Sequence, residues 1–172
     1  AYTVQDETNP GLPIRASFHG ELREEQRPAA ESLLAFPNGV LSATTAFGKT
    51  VIASYLIGQR KTNTLILVHT QALLNQWKAA LGQFLTIDEE LPPTPKRRGR
   101  KKEYALIGQL GGTKNNLSGF VDIAILQSLV SGDEIRPLVK NYGMVIVDEC
   151  HHVSAVSFEK VLKEVNARYV YG

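Results

Sequence analysis

"LSATTAFGKT", residues 41–50, runs out of an apolar segment through small and hydroxyl residues to Gly-Lys-Thr. A strand end needs a turn, but many simpler turns exist. The spacing A-x-x-x-x-G-K-T over Ala43–Thr50 is that of a phosphate-binding loop with Ala in the first glycine's place. In such a loop the backbone N–H groups of Thr44, Thr45, Ala46, Phe47 and Gly48 converge on phosphate oxygens, and the following helix adds its positive end. Lys49 supplies a point charge, and the Thr50 hydroxyl is suited to ligate magnesium. A strand-to-helix turn carrying Gly-Lys-Thr by chance is the alternative.

Outward from this loop, apolar runs of strand type recur at GVLSA (39–43), TLILV (64–68), YALIGQL (104–110), FVDIAIL (120–126), GMVIVD (143–148) and RYVYG (168–172). Most are continuous rather than alternating, as in strands buried on both faces of a parallel sheet. Helical stripes lie between them: Leu73, Leu74, Trp77, Leu81 and Phe84 share one face, and Phe158, Val161, Leu162 and Val165 another. Strand and helix in alternation predict an α/β fold, a mostly parallel sheet with helices on both faces. Ligands in such sheets bind at the carboxyl ends of the strands, where every polar cluster of this sequence falls.

The second cluster is MVIVDECHH, residues 144–152. Asp148 ends a buried apolar strand, where a carboxylate without a partner is costly. A magnesium ion bridged to phosphates accounts for it, and the adjacent Glu149 is placed to orient or deprotonate a water. The plainer alternative makes Asp148 a helix cap and the histidines solvated.

With 172 residues, 43% hydrophobic and 21% charged, the chain has the composition of one ordinary globular domain. Its single cysteine, Cys150, excludes an internal disulfide and a cysteine-based zinc site. No apolar run approaches a membrane span and the first twenty residues lack a signal-peptide pattern, so no membrane partner and a cytoplasmic location are expected. The net charge is +2, but six of the 19 basic residues sit in KRRGRKK (96–102), leaving an otherwise acidic domain. That run belongs to a proline-rich insertion at 91–102. It reads either as a solvated loop or as a flexible clamp on a phosphate backbone.

Taken with the loop and the DECH box, several further segments resemble superfamily-two helicases and translocases. The resemblance is to the first RecA-like, ATP-binding domain in the repair and restriction branch of the DEAD/DEAH-box-like enzymes. It covers about Leu22 to Gly172, with residues 1–21 as a lead-in. It implies a RecA-like P-loop NTPase domain, ATP and Mg2+ as cofactors, and a second RecA-like domain beyond this chain. LREEQ (22–26) resembles the segment whose Arg and Gln recognise adenine, here Arg23 and Gln26. In LVHTQALLNQW (67–77), Thr70 matches a residue contacting a nucleic-acid phosphate. Gly111–Gly112 resembles a backbone-contacting loop. In ILQSL (125–129), Gln127 and Ser128 match residues that begin a helix under the nucleic acid. His151 matches the box histidine that couples the ATP state to the second domain. By themselves, Thr70 and Ser128 are equally ordinary helix N-caps.

The likeness has departures. Ala46 stands where many members have Gly, and Ile125 where many have Thr. The chain stops at RYVYG, where the family places its coupling motif, so an excised domain without the arginine finger of the second domain is expected. These features together imply the ATP-binding half of an ATP-dependent helicase or translocase, with catalytic Glu149, Asp148 and Lys49, a metal site of Thr50 and Asp148, and DNA favoured over RNA. The alternatives are an RNA helicase domain, a small-molecule kinase using the same loop, and a non-catalytic nucleic-acid-binding module with a vestigial loop.

Overall fold

In a computed structural model the structure describes residues 2–3, 5–93, 104–149 and 154–172. The basic run at 96–102 and His151 therefore lie outside the described residues.

The elements in chain order are β1 (Ala16–Phe18), α1 (Gln26–Leu34), β2 (Asn38–Gly39), α2 (Lys49–Arg60), β3 (Thr64–Val68), α3 (Gln71–Phe84), β4 (Leu85–Ile87), β5 (Ile107–Gly111), β6 (Lys114–Asn115), β7 (Val121–Ile125), β8 (Val130–Ser131), β9 (Glu134–Ile135), β10 (Met144–Val147), α4 (Ala155–Glu164) and β11 (Tyr169–Tyr171). Seven strands form one sheet in the order β2-β11-β10-β3-β7-β5-β6. Every neighbouring pair is parallel except β5 with β6. The expected α/β architecture is present, and it aligns the carboxyl ends of six strands along one edge.

The continuous apolar strands follow from burial on both faces. All five residues of β3 are buried. Ile66, Val68, Ile123, Met144 and Ile146 face one core, shared with Ile52, Leu56, Leu74 and Trp77 of α2 and α3. Leu65, Leu67, Ala124 and Val145 face the second core, with Val161 of α4. Alternation survives as the choice between two apolar layers rather than between core and water.

Two expectations change. The GVLSA strand shrinks to Asn38–Gly39 at the sheet margin, where Val40 is exposed. Backbone pairing nevertheless runs on, because the Leu41 N–H donates to Gly172 O at 2.7 Å. The helix expected at Gln127–Ser128 is only a 3-10 turn, Leu126–Leu129, which leads into the β8–β9 hairpin. An i→i+3 turn is the shortest way to bury Leu126 and Leu129 while reversing into that hairpin. The lead-in segment packs on the main core. Its β1 pairs antiparallel with β4, and Ile14 and Ala16 are buried in the main core.

Asp122 interrupts the apolar run of β7 and is fully buried. Its carboxylate accepts from Ser118 N at 2.7 Å, Ser118 Oγ at 3.1 Å, Gly119 N at 2.8 Å and Tyr142 OH at 2.7 Å. Four donors offset the desolvation of the charge and fix the turn before the strand. Burial, reinforced by the Asp122 charge, pushes the Tyr142 hydroxyl far above its usual range, so it stays a donor. Among the described residues no helix is long and apolar enough to cross a membrane.

Candidate nucleotide site and strand-end strip

The loop after β2 winds through one 3-10 turn, Thr45–Phe47, and reverses at Gly48, which has φ of 83°. A side chain there would carry the left-handed penalty, and a built Cβ falls 2.5 Å from Gln26 Nε2. Gly48 then begins α2 with no side-chain cap and no acidic residue in the first turn. The first N–H groups of α2 thus present positive character, with Lys49 as the first helical residue.

Arg23 and Gln26 hold this loop from behind. Arg23 Nη2 donates to Ala46 O at 3.1 Å and Phe47 O at 2.7 Å. Gln26, buried in the first turn of α1, donates from Nε2 to Phe47 O at 2.6 Å and accepts from Arg23 N at 2.8 Å. The loop carbonyls are thereby turned toward α1.

Opposite stands the end of β10. The Asp148 N–H donates to Leu67 O at 2.9 Å, extending the β10–β3 ladder by one bond. Its Oδ2 accepts from Trp77 Nε1 at 2.7 Å. Glu149 has φ of +49°. A left-handed glutamate costs about 1–2 kcal/mol, and such strain persists only where surrounding structure over-determines it. β10 is separated from β2 by β11 alone, so the two loops face one another. Ser42, Ala43, Lys49, Asp148 and Glu149 share the wall of one cavity of ≈ 320 Å³, floored by Ile52 and Leu56. Thr44–Gly48 and Thr50 lie off that wall. The Thr50 carbonyl accepts from Ser54 Oγ at 2.8 Å inside α2.

The remaining polar cluster forms a strip along the same edge, over the adjacent strands β3, β7 and β5. Thr70 caps α3, its hydroxyl accepting from Leu73 N at 3.2 Å, which leaves the O–H to donate outward. A Cβ on Gly112 would fall 2.7 Å from Gln71 Oε1, and one on Gly111 2.6 Å from the Ile125 side chain. Thr70, the Gly-Gly loop and the turn holding Gln127 and Ser128 are therefore contiguous. Ser128 does not cap an α-helix.

The donor set fits a nucleotide-borne magnesium ion rather than a resident one. Among the described residues, no group of three or more His, Cys, Asp or Glu could hold a metal unaided. Mg2+ is commonly bound by one or two carboxylates plus substrate phosphates, and Asp148 beside Lys49 supplies that minimum. Periodicity missed the partner of Asp148. Trp77 was legible only as one member of an apolar stripe, although a buried indole N–H usually finds an acceptor.

Residues 19–172 match the family described as "Type III restriction enzyme, res subunit". The chain is 29% identical over 163 residues to the putative helicase 161L of Invertebrate iridescent virus 6, covering 91% of this chain and 34% of that protein. It is 27% identical over 138 residues to the DNA 3'-5' translocase XPB2 of Sulfurisphaera tokodaii, covering 80% of this chain and 27% of that one. The chain thus spans about a third of these relatives. In fold it is similar to the UvsW helicase from bacteriophage T4, with a TM-score of 0.67 and 20% identity over 94% of this chain and 55% of the other.

Proposed function

We propose, given that the chain belongs to the family of type III restriction enzyme res subunits, that it is the first RecA-like, ATP-binding half of an ATP-dependent DNA helicase or translocase. The observation that carries this reading is the meeting of Lys49 with Asp148 and Glu149 on one cavity wall.

Each residue has a physical task there. Lys49, backed by the uncapped start of α2, attracts the outer phosphates of ATP. Asp148, with the Thr50 hydroxyl, would hold Mg2+, which supplies neutralisation of phosphate charge when bound. Binding would need Thr50 to turn toward the cavity it now adjoins. Glu149 is the base that orients or accepts a proton from the attacking water, next to the metal carboxylate in sequence. For Arg23 and Gln26 to read adenine, their side chains, which now bond the Ala46 and Phe47 carbonyls, would have to turn from the loop to the base.

Nucleic acid runs along the strip of Thr70, Gly111–Gly112 and Gln127–Ser128. Hydroxyl, amide and backbone groups there suit phosphate contacts, which position a strand without reading its sequence. A second RecA-like domain completes the site with an arginine finger, and His151 transmits the ATP state to it. DNA is favoured over RNA by the likeness to a DNA translocase and by the L-R-x-x-Q form of residues 22–26.

The test is ATP hydrolysis by the whole protein that carries this chain, with duplex DNA, with RNA and with neither. Stimulation by DNA is expected. Stimulation by RNA alone would replace the DNA reading, and no hydrolysis under any condition would remove the enzymatic one.

A further inference from the structure

The hydrogen bond from Trp77 Nε1 to Asp148 Oδ2, 2.7 Å long, joins the middle of α3 to the end of β10. Trp77 is 2% exposed, packed among Ile52, Leu74, Leu81 and Ile146, yet it also reaches the wall of the Lys49–Asp148 cavity. Filling that core needs only an aromatic or aliphatic side chain. Besides the volume of its second ring, Trp adds over Phe one N–H, a donor with no acceptor capacity, and here it points at a carboxylate. Bonds of this kind to an ionised acceptor are short and about twice as strong as neutral ones. α3 is capped by Thr70, runs to Phe84 and buries Leu74 and Leu81 on either side of Trp77. The chain has a single tryptophan.

From this geometry we infer that Trp77 is the positioning residue of the metal carboxylate: its indole N–H holds Asp148 in the orientation that receives Mg2+ with the nucleotide. The inference rests on the nucleotide reading of the cavity. The indole restrains the Asp148 side chain from a separate element, α3, at the point where the chain leaves β10 for the left-handed Glu149. Partners of metal ligands commonly change metal affinity by 10–100-fold when removed.

The test uses the chain with ADP and Mg2+. In calorimetry, Trp77→Phe should leave ADP affinity in EDTA unchanged and raise the Mg2+ concentration needed for half-maximal tightening about ten-fold. Circular dichroism checks that the Phe variant keeps the fold. An unchanged Mg2+ requirement overturns the inference, and so does an equal loss with and without Mg2+, which would make Trp77 core filling alone. If the Phe variant does not fold, the parent chain decides. Its tryptophan emission should change when Mg2+ is added at saturating ADP, and an unaltered emission contradicts the role. A parent chain that binds no ADP even with Mg2+ overturns the nucleotide reading too, which separates the two failures.

Discussion

Gln26 Nε2 donates to Phe47 O at 2.6 Å, and the same nitrogen lies 2.5 Å from where a Cβ on Gly48 would sit. The loop and the first turn of α1 are therefore fitted to one another at a position that only glycine satisfies. Gly48→Ala should destabilise the chain by about 1–2 kcal/mol through its left-handed backbone alone, and more through the contact with Gln26. Gln26→Ala, which removes one of the two donors to the Phe47 carbonyl and strands the Arg23 N–H, should cost about 1–3 kcal/mol. Because the residues touch, the double variant should be less destabilised than the sum of the two, read by urea unfolding. Strict additivity would mean the contact is absent in solution.

Asp122 is a structural carboxylate, held by four donors of the protein. Tyr142→Phe removes one of its four donors and should cost about 1.5–3 kcal/mol, a value typical of a hydrogen bond to a charged group. Nucleotide affinity should not change, because the pair lies at the start of β7, away from the strand ends. Urea midpoints alongside ADP titrations check both halves of that expectation.

Glu149→Gln keeps the shape of the side chain and removes its basicity. In the whole protein it should retain ATP binding and lose hydrolysis by at least about 10²-fold, the usual range for a general base. Turnover at the parental rate would assign the water-activating role elsewhere.

Much of this was readable in the amino-acid order, for physical reasons. TLILV and GMVIVD are continuous because both faces of the sheet are covered, and Asp-Glu follows one such strand, whereas Gly-Lys-Thr follows the short margin strand β2. What escaped involves partners distant in sequence. Asp122 lies inside an apolar run whose reading made no use of it, and its donor Tyr142 is 20 residues away. The β1–β4 pair joins Ala16 to Ile87, a register that no local pattern encodes. At Gln127–Ser128 the resemblance implied a helix, whereas the following hairpin leaves room for one turn only. Trp77 showed its stripe but not its bond, since periodicity reports a face and not an acceptor.

The most direct measurement of the central claim is calorimetric titration of the chain with Mg2+ and ATP, comparing Lys49→Ala with the parent. A contact from one charged side chain contributes about 1.5–3 kcal/mol, so the Kd should rise roughly 10- to 150-fold while the melting temperature without nucleotide stays the same. An unchanged Kd would contradict the assignment of this loop, and of the cavity it shares with Asp148 and Glu149, to the phosphates of ATP.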